Sequence, residues 1–177
     1  MLLNRMWSLT QYSYFLLAIL LCTGLSVNAQ ATPTSHPQAS PTSDDIIGFW
    51  RTIDDVTGFA AARIQISKDA TGKYVGTVRE LFPRPNYTPI EKCQNCPKPF
   101  TDRQVVGMPI LWNLQANPDN PNLFNRGYVI DPLNGRIYAG DVKLSRDRRI
   151  ITLRGKIIGA GVFNRSQTWR RDPDQQP

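Results

Sequence analysis

Cys93 and Cys96 are the residues whose type and spacing point most directly to chemistry. They form a C-x-x-C pair within EKCQNCPKPF, residues 91–100. This spacing occurs in thiol redox centres, in half of a four-ligand zinc site and in short structural disulfides. The element that carries the pair and the compartment of the protein decide among these three.

The surroundings of the pair favour a disulfide. A thioredoxin-like centre needs a helix N-terminus, which lowers the pKa of a thiol, whereas this pair follows Pro89 and is flanked by Pro97 and Pro99. Zinc needs four ligands, and the region around the pair offers no second C-x-x-C. We expect an intrachain Cys93–Cys96 disulfide, with a redox centre or a metal site as alternatives, and we predict no metal and no cofactor.

The first 29 residues have the layout of a secretory signal peptide. Arg5 gives a positive start, and residues 14–25 are an apolar run shorter than a comfortable membrane span. The tripeptide Val27-Asn28-Ala29 has the character of a cleavage site. We predict cleavage near Ala29 and a periplasmic or secreted mature protein.

Two alternatives to a cleaved signal peptide are open for this N-terminus. Cys22 lies in the apolar run, as in a lipoprotein, but Leu21 stands before it where lipidation usually needs a small residue. An uncleaved N-terminal anchor is the second alternative.

A single folded domain follows a polar linker. Residues 30–45 are built mainly of Pro, Ser, Thr, Ala and Gln and have no large apolar side chain, so they cannot bury enough surface to become ordered. The only histidine, His36, falls in this linker, so the domain has no imidazole for catalysis or metal binding. We place the domain at residues 46–171 and a flexible tail at residues 172–177.

The domain alternates apolar and polar residues with a period of two. Ile64 and Ile66 alternate with Arg63 and Gln65, which is typical of a strand with one wet face. Eight segments have strand character: 48–53, 61–67, 73–82, 105–114, 123–130, 136–145, 150–158 and 164–171. No segment has a convincing helical pattern.

Short connections predict an antiparallel meander. Residues 68–73, 131–135 and 145–149 have hairpin lengths, and Asn134-Gly135 suits a tight turn. Closing eight such strands removes the exposed edges, so we predict an all-β, eight-stranded antiparallel up-and-down barrel. Pro109 cannot donate to a ladder and predicts a bulge or an edge position in its strand.

The two ends of the domain resemble lipocalin-like (calycin-type) barrels. Gly48-Phe49-Trp50 opens the first strand and Trp169-Arg170-Arg171 closes the last. The resemblance implies that Trp50 seals the bottom of the barrel beneath Arg171 or Arg170, a cation–π contact worth about 1 kcal/mol. The alternative is that Trp50 and Trp169 are ordinary core aromatics.

A closer resemblance covers nearly the whole domain. Its motifs are G-x-W-x-T-x-D-D from Gly48, G-x-V-x-x-L-F from Gly76, the C-x-x-C, V-V-G-M-x-I-L-W from Val105, D-P-x-N-G-x-x-Y from Asp131 and Q-T-W-x-R from Gln167. Together they resemble an exported bacterial family of unknown function, DUF2147. The resemblance implies a small periplasmic or secreted protein with a lipocalin-like barrel and no established activity.

Charge and motifs narrow the function. The chain carries 21 Lys and Arg against 14 Asp and Glu, so we expect anionic partners, such as acidic small molecules or lipid head groups at a membrane surface, and no nucleic acid. The carboxylates at Asp54-Asp55 and Asp131 suit turns, and no nucleophile elbow, phosphate loop or zincin motif is present in the sequence. We name no catalytic residue and expect a protein that is not an enzyme.

Two functions are predicted, and an enzyme of unknown type stays open as a third hypothesis. The first is a non-catalytic module that binds a small apolar or amphipathic ligand, anionic ones included, in the cell envelope. Its predicted lining is Phe82, Met108, Trp112 and Tyr138, which fall on strands near the long loop 83–104. The second is a structural or interaction protein of the periplasm, with a filled barrel and no small-molecule ligand.

Overall fold

A computed structural model describes residues 40–158 and 163–174 of the chain. The predicted signal peptide, the linker up to residue 39 and the last three residues of the tail lie outside the described residues. Within the described ranges, no helix is long and apolar enough to cross a bilayer.

Eight antiparallel strands form a closed barrel in chain order. Each strand pairs with the next, and β8 returns to pair with β1 through Trp50 opposite Arg171 and Thr52 opposite Trp169. The predicted all-β up-and-down barrel is therefore confirmed. The strands are β1 Gly48–Ile53, β2 Ala60–Lys68, β3 Tyr74–Leu81, β4 Pro109–Asn117, β5 Asn120–Ile130, β6 Ile137–Leu144, β7 Ile150–Ile157 and β8 Phe163–Arg171.

Alternation along each strand separates an apolar interior from a polar exterior. In β2, Ala62, Ile64 and Ile66 are buried, while Arg63 and Gln65 between them remain partly exposed. Because side chains alternate across a strand, each strand contributes every second residue to one shared core. Apolar burial stabilises by about 25 cal/mol per Å², so this core is the main source of stability.

The start of β4 differs from the prediction. The apolar pattern suggested a strand from residue 105, but β4 begins at Pro109, and Val105 to Met108 form a turn in which the Met108 amide donates to the Val105 carbonyl at 3.1 Å. Gly107 in this turn has a φ of 87°, which a strand does not allow. Pro109 stands first in its strand, next to a register shift, where its missing donor costs no ladder bond.

One end of the barrel is sealed. A 3-10 turn at Ser43–Ile46 runs under the first strand, and the Trp50 indole donates to the Ile46 carbonyl at 2.9 Å. The guanidinium carbon of Arg171 lies 4.2 Å from the centre of the Trp50 ring. Arg170, the alternative considered for this contact, is exposed. We call this the closed end, and the end where β1, β3, β5 and β7 finish the open end.

Candidate functional site

A cavity of about 170 Å³ opens at the open end of the barrel. Strands and connecting loops both contribute to its wall. Its lining residues are Thr52, Asp54, Asp55, Ala61, Ala62, Val78, Leu81, Arg84, Tyr87, Pro89, Ile90, Val105, Ile110, Val129, Ile130, Asp131, Pro132, Leu133, Tyr138, Leu153, Gly155, Arg165 and Gln167.

The floor of the cavity is apolar. Ala62, Val78 and Leu153 point inward from β2, β3 and β7 and are buried. Gly155 leaves room for the ring of Tyr138, since a Cβ there would lie 3.1 Å from the Tyr138 Cβ. The small residues Ala62 and Gly155 thus leave space in the half of the barrel near the open end. Larger side chains fill the half near Trp50.

The rim of the cavity carries two ion pairs. The Arg84 Nη1 donates to the Asp54 Oδ2 at 2.6 Å, and Arg165 pairs with Asp131. Asp54 also accepts bonds from the backbone and hydroxyl of Thr57 at 2.8 and 2.9 Å. Together with Arg84, the Thr57 groups hold the pKa of the Asp54 carboxyl well below its usual range.

The β3–β4 loop, residues 82–108, forms one side of the rim. Arg84 and Tyr87 exchange backbone hydrogen bonds of 3.4 and 3.1 Å across a tight turn, and the Arg84 guanidinium carbon lies 4.0 Å from the centre of the Tyr87 ring. Tyr87 and Ile90 of this loop line the cavity, while Phe100 packs on Trp112 with ring centres 5.3 Å apart.

The cysteine pair lies further along the same loop. Cys93 and Cys96 are buried at disulfide distance, with Cα atoms 5.4 Å apart. Their segment packs on the β5–β6 turn, where a Cβ added at Gly135 would lie 1.8 Å from the Asn95 carbonyl oxygen. The pair lies in the outer part of the loop, and neither cysteine is a lining residue of the cavity.

Of the four residues predicted to line a ligand site, the structure brings only Tyr138 to the cavity. Phe82 lies under the guanidinium groups of Arg51 and Arg63, at 5.6 and 5.4 Å. Met108 is fully buried, and Trp112 lies between Phe100 and Tyr128. A sequence pattern shows that residues alternate between the two faces of a strand. It does not show which residues face inward near strand ends and bulges, because the alternation is shifted there.

Arg84 is the functional candidate that the sequence pattern missed. It stands between Pro83 and Pro85 in a segment without periodicity, and its side chain is only 9% exposed. The sequence signal that could have pointed to Arg84 is a basic residue between two prolines at the start of a long loop, since long loops are often functional.

The same fold and sequence pattern occur in known proteins. The family model of an uncharacterized protein conserved in bacteria, DUF2147, matches residues 48–171, which is most of the chain. The chain belongs to the DUF2147 family. A comparison with curated proteins finds no match.

A solved structure resembles this DUF2147 barrel. It is the Helicobacter pylori protein HP1028, described as belonging to the lipocalin family, with a TM-score of 0.58 and 15% sequence identity. The match covers 73% of this chain and 84% of that chain. At this identity the likeness shows a lipocalin-like fold, which is compatible with binding of a small ligand in the barrel.

Two carboxylates of the cavity, those of Asp54 and Asp131, accept hydrogen bonds within the turns that carry them. Asp131 accepts bonds from the Leu133 amide at 3.0 Å and the Asn134 side chain at 2.9 Å, and Asp54 holds the turn through Thr57. In the described residues, no group of three or more His, Cys, Asp or Glu is placed to hold a metal ion. An apolar floor under a charge-paired rim suits reversible binding of a small molecule.

Proposed function

We propose that the protein is a non-catalytic binding module of the bacterial cell envelope, which takes a small apolar or amphipathic ligand into the open end of its barrel. The observation that carries this proposal is the 170 Å³ cavity with its apolar floor and its charged rim. Ligand pockets generally combine apolar walls with a few fixed polar groups.

The volume sets the size of the group that enters. A cavity of about 150 Å³ accommodates benzene, whereas pockets for drug-sized ligands begin at about 300 Å³. The 170 Å³ available here suits one ring or a short branched chain rather than a whole fatty-acid chain. A longer amphipathic ligand would keep its remainder outside the rim.

A filled barrel that acts through its outer surface is the second candidate. Large buried side chains occupy the half of the interior near the closed end, among them Trp50, Phe124, Leu144 and Ile151. An interior filled in this way leaves no room for a ligand in that half, which supports a structural or interaction role. The two candidates differ in whether the cavity binds anything.

The binding proposal is tested with toluene as the probe of the apolar floor, followed by NMR. We expect toluene to shift the resonances of Tyr138, and Ala62→Leu, which fills the cavity, to weaken binding at least tenfold. The matched control is Ala139→Leu, because Ala139 lies on the opposite face of β6 from Tyr138. Ala62→Val serves as the milder variant if the leucine does not fit.

The outcome separates the two candidates. Absence of toluene binding, together with no small-molecule adduct in native mass spectrometry of protein purified from cells, would contradict the binding proposal. It would favour the filled barrel.

We also propose that the protein is exported and works near a membrane surface. The buried cysteine pair at disulfide distance supports an oxidising compartment. Val56, Phe59 and Leu133, in connections at the open end, are 95%, 52% and 54% exposed, which supports apolar contact at that end. Intact mass of the periplasmic fraction should match a chain that starts at Gln30 and lacks two hydrogens.

A further inference from the structure

We infer that the hydroxyl of Tyr138 and the side-chain amide of Gln167 form a polar subsite on one wall of the cavity, and that its ligand is a small neutral carbonyl compound, such as a ketone, an ester or an amide. This inference rests on the proposed binding function and names the chemical class of its ligand. It follows from the direction, the free hydrogen-bonding capacity and the charge of the residues that line the cavity.

Tyr138 points into the barrel near the open end. Its side chain lies on the inward face of β6, together with the buried Val142 and Leu144. The ring lies across Gly155 of β7, since a Cβ added there would be 3.1 Å from the Tyr138 Cβ and 3.5 Å from its Cδ1. Tyr138 is only 5% exposed, and it lines the cavity. The ring is therefore part of the cavity wall.

Gln167 lies on the same wall, two strands from Tyr138. β7 separates β6 from β8, and Arg165, which stands opposite Gly155, comes two residues before Gln167 on β8. Gln167 shares the inward face of β8 with the buried Trp169, and it lines the cavity. The Trp169 indole donates to the Gln167 Oε1 at 2.9 Å. Because an indole N–H is a donor only, this bond fixes the orientation of the amide and leaves its NH2 group as the free end.

Both groups are open to the cavity and have no partner in the described residues. In that part of the chain, the fully buried side-chain polar atoms that lack a partner are the Nε atoms of Arg51 and Arg84 and the Asn122 Oδ1. The Tyr138 hydroxyl and the Gln167 Nε2 make no hydrogen bond there either. Since neither is among the fully buried atoms, each keeps accessible surface. The inward direction of the two side chains places that surface in the cavity.

The two groups together select an acceptor on the ligand. The Tyr138 hydroxyl donates and accepts, whereas the Gln167 NH2 group only donates, so an acceptor oxygen is the group that suits both. A wholly apolar ligand would cover these groups without replacing the hydrogen bonds that they make to water, which costs affinity. A carbonyl oxygen on a ring or a short apolar chain would meet the subsite and leave the apolar part on the floor.

The charge of the lining selects a neutral oxygen over a carboxylate. Arg84 and Arg165 line the cavity, but each is already paired with an aspartate, Asp54 and Asp131 respectively. Asp55 is a third lining carboxylate, and it has no ion-pair partner in the described residues. The lining therefore carries more negative than positive charge, although the whole chain is basic. This local excess opposes the entry of an anion.

The test compares three probes of similar size: toluene, acetophenone and benzoate. We expect acetophenone to bind the purified protein about tenfold more tightly than toluene in NMR titrations, because its carbonyl oxygen accepts hydrogen bonds from the subsite. Benzoate, which is an anion at neutral pH, should bind more weakly than acetophenone because of the negative lining.

Variants of the subsite identify the groups that meet the carbonyl. Tyr138→Phe keeps the ring and removes the hydroxyl. Gln167→Glu keeps an acceptor for the Trp169 indole and replaces the NH2 donor by an oxygen. Each variant should lower the affinity for acetophenone about threefold to tenfold and leave toluene binding within about twofold.

Tyr128→Phe and Gln65→Glu are the matched controls, because they make the same chemical changes outside the cavity. Tyr128 is 38% exposed and stacks on Trp112, and Gln65 accepts a bond from the Arg79 Nε at 2.8 Å on the outer face of β2. Neither control residue lines the cavity. Both variants should bind the three probes as the wild-type protein does.

The results distinguish the two levels of proposal. If toluene binds and acetophenone binds no more tightly, or if the preference for acetophenone survives in both subsite variants, the inference is wrong and the binding function stands. Benzoate as the tightest probe would overturn the neutral class of ligand. An equal loss of affinity for all three probes in both subsite variants would indicate a structural effect and contradict the subsite. If no probe binds the wild-type protein, the binding function itself fails.

Discussion

At the scale of single residues, Gly135 connects two parts of the open end. Its φ of 70° lies in the left-handed region that favours glycine, and it ends the turn that Asp131 begins. The backbone of Asn95 in the cysteine segment lies directly against it. One glycine therefore allows both the turn geometry and the close approach of the β3–β4 loop.

Gly135→Ala should cost more stability than positive φ alone explains. We expect a loss of about 2–4 kcal/mol, from backbone strain and from the clash with the Asn95 carbonyl. Gly72→Ala is the control, since Gly72 has a φ of 78° and nothing within 4 Å of an added Cβ, and it should cost about 1 kcal/mol. Urea denaturation measures both values, and equal losses would contradict the packing argument.

At the scale of elements, the β3–β4 loop has order of its own. The amide of Cys93 donates to the Arg103 carbonyl at 3.0 Å, and the amide of Val105 donates to the Glu91 carbonyl at 2.7 Å. Lys92 and Gln104 form an isolated bridge between these bonds. Residues 91–105 of the loop thus form a short hairpin that carries the cysteine pair, and the loop is joined to the barrel by the rim contacts.

Cys93→Ser should loosen this loop and leave the barrel folded. Closing so short a loop removes little entropy from the unfolded chain, so we expect a loss of about 1–2 kcal/mol. Hydrogen exchange should become much faster for amides between residues 91 and 105 than for amides in β2 and β7, where it should rise no more than the loss of global stability requires. Reduction of the wild-type protein should reproduce the effect, and unfolding of the whole domain at room temperature would contradict it.

At the scale of the whole molecule, the closed end joins the two ends of the domain. Arg171 donates from Nε to the Arg148 carbonyl at 2.7 Å, from Nη1 to the Ile47 carbonyl at 3.2 Å and from Nη2 to the Asp45 carbonyl. Burial lowers the pKa of this guanidinium, although Asp45 opposes the shift. One side chain therefore ties β8, the 3-10 turn and the β6–β7 connection around Trp50.

Arg171→Met should weaken barrel closure. The loss of the bonds to three backbone carbonyls and of the contact with Trp50 predicts about 2–4 kcal/mol less stability in urea denaturation. Arg170→Met is the control, because Arg170 is exposed on the same strand, and surface substitutions usually change stability by about 0.5 kcal/mol or less. Equal losses of stability in the two variants would contradict a specific role of the Arg171 contacts at the closed end.

The strand count and order followed from local patterns. Period-two runs such as residues 61–67 and hairpin signals such as Asn134-Gly135 depend on neighbours in the chain, so they predicted the barrel well. The strand prediction was wrong for Val105 to Met108, because a run of apolar residues can also form a buried turn. Phe82 and Met108 likewise followed the apolar pattern but pack away from the cavity.

The sequence by itself determined an all-β domain of eight antiparallel strands and the residues available to close it. Only the tertiary structure decided that Arg171 rather than Arg170 covers Trp50, and that Arg84, Asp54 and Tyr138 meet at one cavity. Local periodicity fixes which residues alternate, whereas strand register, bulges and loop packing fix which side chains meet. Those contacts join residues far apart in the chain, and no local signal encodes them.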